Sequence, residues 1–298
     1  MSPTQTVDIT QAVLDRLDGC ADARFKQVLS AVIRHVHALA VEVDLRPEEW
    51  MTAIQFLTKA GQTCDDKRQE FILLSDTLGL SMRVVELDQK RRSAAALADK
   101  TARVVPTEAT VQGPFYWEGS PALALGSDIG QGMPGEPAYY AGCVTDTHGQ
   151  ALAGAELDVW SGDGDGIYDM QMGAEAGMRL RARFRTDAEG QYRFWSIRPT
   201  FYPVPDDGPV GEMLRRMGRH PNRPGHIHMM VRKAGHVPLT THLFVANSPF
   251  LDSDAVFGVR DSLIVPFERH EAGTAPDGRV LDRPFHTAQY DFALAPAA

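Results

Sequence analysis

Apolar positions recur at helical intervals through roughly the first third of the chain and at strand intervals after it. Phe25, Val28, Leu29, Val32, Ile33 and Val36 fall 3, 1, 3, 1 and 3 residues apart, the spacing of one helix face. His35 and His37 flank that stripe and read as surface residues. A second helix is expected from Pro47, which suits a first turn, through Glu48 and Glu49, which complement the dipole, to Gly61, placed to end it. A third is expected over roughly Asp65 to Asp76, and a fourth through Met82 and Val85 to Leu97, with Lys90, Arg91 and Arg92 on its solvated face.

After Val105 and Pro106 the texture changes: Gly and Pro become frequent, and short apolar runs alternate with turn residues. Ala141 to Val144 leads into the turn Asp146 to Gly149, and Ala155 to Trp160 alternates strictly. Arg183 to Thr186, the turn Asp187 to Gly190, and Gln191 to Phe194 read as a β-hairpin. Strands at this spacing without intervening helices predict an antiparallel sandwich. The fold class expected is α+β, with a helical region over residues 1–105 and a β-sandwich domain over 106–298.

The 298 residues suffice for one large or two modest domains. A net charge of −9 with interspersed signs argues against phosphate-backbone binding as the main activity, so no nucleic-acid partner is expected. No early apolar stretch suits a signal peptide and none approaches a membrane span. Cys20, Cys64 and Cys143 are far apart and form no CxxC pair, as expected of reduced cysteines in a cytoplasmic protein. A metal would have to be held by His, Tyr or carboxylate.

The chemistry concentrates in Arg223-Pro224-Gly225-His226-Ile227-His228-Met229-Met230-Val231. Ile227, Met229 and Val231 alternate with the histidines, so a strand points His226 and His228 to one side, about 7 Å apart along the chain. Two imidazoles so placed can reach one metal ion, but the same spacing suits two polar side chains on a solvated face. Tyr168 follows the glycine-rich turn Gly162 to Gly166, and Tyr202 sits in an extended segment ahead of Pro203. Either tyrosine alone is as readily structural. Together the four offer two phenols and two imidazoles. Zinc prefers Cys, His and carboxylate, and calcium or magnesium prefers carboxylate and carbonyl oxygen. A phenol with a pKa near ~10 stays ionised at neutral pH only beside a strongly Lewis-acidic ion, for which ferric iron is the natural candidate.

These segments, with Gly113-Pro114-Phe115-Tyr116 and Tyr202-Pro203-Val204-Pro205, resemble the intradiol ring-cleavage dioxygenases in the family's order and over nearly the whole chain. The resemblance implies Fe(III) bound by Tyr168, Tyr202, His226 and His228. It also implies that Tyr202 is displaced by substrate and acts as general base, while Arg223 stabilises the electron-rich ring. Leu73, Asp76, Phe115, Val204, Pro205 and Val256 become candidates for the substrate pocket. His242, where many catechol-cleaving relatives carry Gln, is a candidate substrate or ligand-supporting contact or a packed strand histidine. Leu73 to Gly79, Asp206 to Gly211 and Leu251 to Phe257 look most like the branch that cleaves hydroxyquinol with O2, the alternative being catechol or chlorocatechol. The helical region is then expected to form a homodimer interface, where relatives enclose a phospholipid.

Two other classes fit parts of the pattern. An Fe(II) oxygenase or His-rich hydrolase would need a carboxylate such as Asp169 or Asp206 beside the histidines. A non-catalytic transthyretin-like sandwich would account for Gly149 to Trp160 but not for two tyrosines set toward a His-x-His strand. Tyrosinate-to-Fe(III) charge transfer would separate these readings by colour.

Overall fold

The computed structural model describes residues 8–65, 68–172 and 177–297. The chain divides into two compact units, Met1–Lys59 and Ala60–Ala298. In the first, α1 (Ile9–Asp15) and α2 (Ala23–Glu42) each start on an aspartate cap. The Asp8 carboxylate accepts from the Thr10 and Gln11 amides, and Asp22 accepts from the Phe25 amide at 2.9 Å. Much of the apolar stripe of α2 is exposed, with Phe25 at 57%, Val32 at 50% and Val36 at 57%, while Leu29 and Ile33 are half-buried. Helix α3 (Pro47–Thr63) begins at Pro47 as expected but runs through Gly61. Gly61 does not take the left-handed conformation that ends helices, and lies against the Phe71 ring.

In the second unit, α4 (Glu70–Thr77) starts later than the expected Asp65, residues 66–67 lying outside the described ones, and α5 (Leu80–Ala98) follows. By compactness these helices group with the strands, ahead of the change of texture near residue 105. Both ends of α4 are tied to the segment around α6 (Pro209–Arg216). The buried Glu70 carboxylate accepts from the Val210 amide at 3.0 Å, and Arg219 donates to the Thr77 carbonyl at 2.6 Å. No helix among the described residues is long and apolar enough to cross a membrane.

The strands are β1 (Pro137–Asp146), β2 (Glu156–Trp160), β3 (Arg181–Arg185), β4 (Gln191–Ile197), β5 (Tyr202–Pro203), β6 (Asn222–Arg223), β7 (His226–Arg232) and β8 (Leu239–Val245). After them come β9 (Ile264–Val265), β10 (Glu268–His270), β11 (Gly273–Thr274), β12 (Val280–Leu281), β13 (Phe285–Gln289) and β14 (Phe292–Leu294). One five-stranded sheet has the order β10-β13-β1-β14 with β4 on the other side of β1, and the second has the order β3-β2-β7-β8-β9. Tyr140, Val144, Phe194 and Phe292 of the first meet Leu157, Val159, Phe184, Ile227, Met229, Val231 and Leu243 of the second in one core.

The sandwich is mixed rather than purely antiparallel. Strand β1 pairs antiparallel with β4, but β13 and then β14 run parallel to it along its other edge, and β9 runs parallel to β8. Those parallel partners come from the far end of the chain, so no local turn constrains their direction. The expected hairpin across Asp187 to Gly190 is also corrected. The turn forms, with the Gly190 amide donating to the Asp187 carbonyl at 3.1 Å, but β3 pairs with β2 and β4 with β1. The turn passes the chain from one sheet to the other, because Phe184 and Phe194 both face the core and stack with centroids 4.9 Å apart.

Gly142 sits where the partner of β1 changes from β13 to β14. A Cβ there would lie 1.8 Å from the Tyr290 carbonyl oxygen, so the chain at Tyr290 crosses β1 where a side chain would stand. Gly142→Ala is expected to destabilise by about 2–3 kcal/mol through forced displacement of that backbone. The check is urea unfolding, with a lower midpoint at unchanged slope.

Candidate metal centre

Strand β7 alternates as its sequence demands: Ile227, Met229 and Val231 enter the core between the sheets. His226 and His228 point to the other face, yet they are only 2% and 1% exposed, which removes the solvated-face reading. Strand register explains part of that burial. Trp160 of β2 and His242 of β8 stand directly opposite His228, forming one row across three strands. The Trp160 indole stacks on the His228 ring at 4.6 Å and 13°, and His242 meets its other side edge-on at 4.3 Å.

The two tyrosines come from separate turns. In the glycine-rich segment the Asp163 carboxylate accepts from the Asp165 and Ile167 amides, both at 3.0 Å, closing the turn that delivers Tyr168. Gly166 has φ +81°, and a Cβ on it would lie 2.7 Å from the Cβ of Tyr202. Only glycine lets the two tyrosine-bearing segments approach this closely. Tyr202 and Arg223 are directly paired in the two-stranded ribbon of β5 and β6, so both project near the start of β7. Phe115 stacks on Tyr168 at 4.5 Å and closes the cluster.

The structure thus brings Tyr168, Tyr202, His226 and His228 together. Tyr168 Oη lies 3.0 Å from His228 Nε2, and Tyr202 Oη lies 3.5 Å from His226 Nε2. Donors bound about 2 Å from a common ion at right angles or wider stand roughly 3–4 Å apart, so these spacings fit one metal. The His226 Nδ1–H donates to the Pro224 carbonyl at 2.7 Å, which leaves the Nε2 lone pair facing the cluster. His242 also lies near both histidines, but its Nε2 faces His228 Nδ1 at 2.8 Å rather than the tyrosines. Two phenols and two imidazole lone pairs suit a trivalent, hard cation, and ferric iron fits that donor set.

The electrostatics agree. Burial pushes all three imidazoles well below their ordinary range, with Arg223 adding to the effect, so they are neutral and able to bind metal. Burial likewise pushes the Tyr168 phenol well up, with Tyr202 beside it adding to the shift. A nearby multivalent cation is the agent that reverses this. Burial works against the Arg223 charge, but Asp254 and the nearby phenols outweigh it and hold the guanidinium above its ordinary value. Asp254 accepts from Arg223 Nε at 3.0 Å and from Nη2 at 3.3 Å, leaving Nη1 aimed at His226 Nε2, 3.1 Å away.

The candidate pocket residues separate into groups. Leu73, Phe115, Val204 and Pro205 line one cavity of about 530 Å³ beside the tyrosines. Asp76 lines a neighbouring cavity of about 730 Å³ with Val111, Gln112 and Gly113. It is 2% exposed; burial raises its pKa, while Ser81 and the charge of Arg223 pull it back. Val256 packs beside the Arg223–Asp254 pair, its amide donating to Asp254 at 3.3 Å. His242 is fully buried behind His228 and faces neither cavity. The carboxylates nominated for a two-histidine Fe(II) site are elsewhere. Asp169 is bound by the Arg181 guanidinium, with one contact at 2.6 Å, and Asp206 pairs with Arg215 at 3.6 Å.

Sequence reasoning missed Asp254, Trp160, Thr110 and the Asp169–Arg181 pair. Trp160 becomes visible once β2 and β7 are known to be neighbours. Thr110, which lies 2.6 Å from His242 Nδ1, carries no signal of its own.

Residues 111–296 match the family described as Dioxygenase, and residues 22–96 match the family described as Catechol dioxygenase N terminus. The chain is 46% identical to a hydroxyquinol 1,2-dioxygenase of Nocardioides simplex over 97% of this chain and 95% of that one. It is 43% identical to a 6-chlorohydroxyquinol 1,2-dioxygenase of Cupriavidus pinatubonensis, covering 97% of each. Its structure is similar to that of a hydroxyquinol 1,2-dioxygenase from Pseudomonas putida, with TM-score 0.83 and 39% identity over 97% of this chain and 98% of that one.

Proposed function

The chain belongs to the intradiol ring-cleavage dioxygenases, and on that premise we propose that it cleaves hydroxyquinol, benzene-1,2,4-triol, between its adjacent hydroxyl carbons. Both atoms of O2 enter the product, 3-hydroxy-cis,cis-muconate, the enol form of maleylacetate. The observation that carries the reading is the buried cluster of Tyr168, Tyr202, His226 and His228 beside a fixed guanidinium. In the proposal these four residues hold Fe(III). The bound ion supplies the Lewis acidity that keeps the phenols ionised and makes a coordinated diol ring reactive toward O2.

The protein's own groups then have distinct tasks. Tyr202, on a two-residue ribbon and 3.5 Å from its histidine neighbour, would be the one of the four donors to give way to substrate. Its freed phenolate oxygen takes a substrate hydroxyl proton as general base. Tyr168 is held against Phe115 and stays. Arg223, locked by Asp254, keeps a positive charge aimed at the ring as negative charge builds on it, and needs no rearrangement to do so. Leu73, Phe115, Val204, Pro205 and Val256 enclose the ring and exclude water. Asp76 lies close enough to Arg223 for their charges to interact, and in the proposal it accepts a hydrogen bond from the third hydroxyl. That contact selects hydroxyquinol over the alternative, catechol or chlorocatechol.

The exposed apolar stripe of α2 supports a second part of the proposal. Residues 1–105 serve as the dimerisation and linker region, with the stripe covered by a second copy and a phospholipid acyl chain, and residues 106–298 form the catalytic domain.

The iron-loaded protein is expected to be red to brown, and Tyr168→Phe to lose that band and the activity; an iron-loaded but colourless wild type would sink the metal assignment. Asp76→Ala should lower kcat/KM for hydroxyquinol by about 10- to 100-fold while leaving catechol nearly unchanged, since only the triol loses a partner. Equal effects on both substrates would overturn the triol contact. Light scattering at micromolar concentration should give twice the chain mass, and a monomer would refute the dimer.

A further inference from the structure

Of the two clustered histidines, only His228 has its second nitrogen held by side chains alone. His226 Nδ1 is tied to a backbone carbonyl that no substitution removes. His228 Nδ1 instead faces His242 Nε2 at 2.8 Å, and His242 Nδ1 faces Thr110 Oγ1 at 2.6 Å. Thr110, His228 and His242 are 3%, 1% and 0% exposed, so both contacts are buried.

Two imidazole nitrogens facing each other share one proton, and the chain of bonds can therefore run in only two directions. Running inward, Thr110 donates to His242 and His242 donates to His228, which forces the His228 proton onto Nε2 and removes its lone pair from the cluster. Running outward, His228 Nδ1–H donates to His242 Nε2, and His242 Nδ1–H donates to Thr110 Oγ1. A metal held by His228 Nε2 requires the outward order, and the geometry accommodates it at both ends. Tyr168 Oη, 3.0 Å from His228 Nε2, is placed to donate to a lone pair there, although a phenol oxygen also accepts and the contact alone fits either order. At the other end, Thr110 lines the 730 Å³ cavity, where its own hydroxyl hydrogen can turn away from His242. Trp160 already fixes the plane of the His228 ring by stacking. What remains to be set is rotation within that plane and the place of the proton.

We infer that His242 and Thr110 are positioning residues that fix the tautomer and in-plane orientation of His228, presenting Nε2 to the metal. The inference rests on the proposed ferric site and adds the device that prepares one of its ligands. The relay is neutral throughout, so it orients His228 without adding charge to the centre, as a carboxylate in the same place would.

Glutamine preserves the order of bonds, since its carbonyl oxygen accepts from His228 and its amide donates to Thr110, whereas leucine preserves bulk alone. His242→Gln, His242→Leu and Thr110→Val are compared in the full chain. With isotope-labelled histidine, NMR of the metal-free protein should show His228 as the Nδ1–H tautomer in wild type and His242→Gln, and a mixture in His242→Leu. After iron loading, His242→Leu should release iron to a chelator about 10- to 100-fold faster than wild type, with a shifted visible band, while His242→Gln keeps both. His242→Leu matching wild type in rate and band, or His242→Gln failing as leucine does, would overturn the assignment. If the leucine variant does not fold, Thr110→Val decides, with faster release and loss of the single tautomer expected and no change overturning it. A wild type that takes up no iron would refute the ferric site instead, and the tautomers would still test the relay.

Discussion

A buried imidazole holds one orientation when its second nitrogen is anchored from behind, and that requirement governs the face on which the proposed ferric site is built. Each imidazole in the cluster is buried, so its second nitrogen must find a partner inside the protein. His226 finds the carbonyl of a proline two residues back, and His228 finds a histidine on the next strand. The second solution depends on register. A shift of one residue between β7 and β8 would turn His242 into the core and leave the His228 N–H unpaired.

Charge is handled by pairing. Arg223 with Asp254 and Arg181 with Asp169 are buried ion pairs near Tyr168, each internally neutral. Such pairs contribute little net stability, because desolvation offsets their attraction. Their effect is positional. Asp254 grips two nitrogens of Arg223 and so directs the third, and Asp169 holds Arg181 near Tyr168 while also accepting from the Arg179 amide at 3.0 Å. In the proposed ferric site the net charge of the centre is thereby left to the iron, the phenols and the diol.

Much of this was readable from residues, and the unread part has a common cause. Strand β7 and its two faces followed from alternation, and α2 from its 3- and 4-residue spacing. The four donors could be nominated because histidine and tyrosine carry their chemistry in their names. Pairing was harder. The turn Asp187 to Gly190 has the composition of a hairpin, yet two phenylalanines that stack across the core send its arms to different sheets. Likewise Asp254 and Thr110 are ordinary residues until the fold sets them beside Arg223 and His242. Local spacing reports which way a side chain points, and only tertiary packing decides what it meets.

The parallel pairing of β1 with β13 and β14 also orders events in time. Strand β1 is the centre of its sheet, but its outer edge is covered by some of the last strands of the described chain. During synthesis that edge stays open until residues 285–294 have emerged, long after the segment bearing His226 and His228. The face that bears His226 and His228 can therefore be assembled before the sandwich beneath it is closed. Contacts spanning so much sequence make the final closure slow, and the unpaired edge of β1 is the surface most exposed to misassembly while it waits.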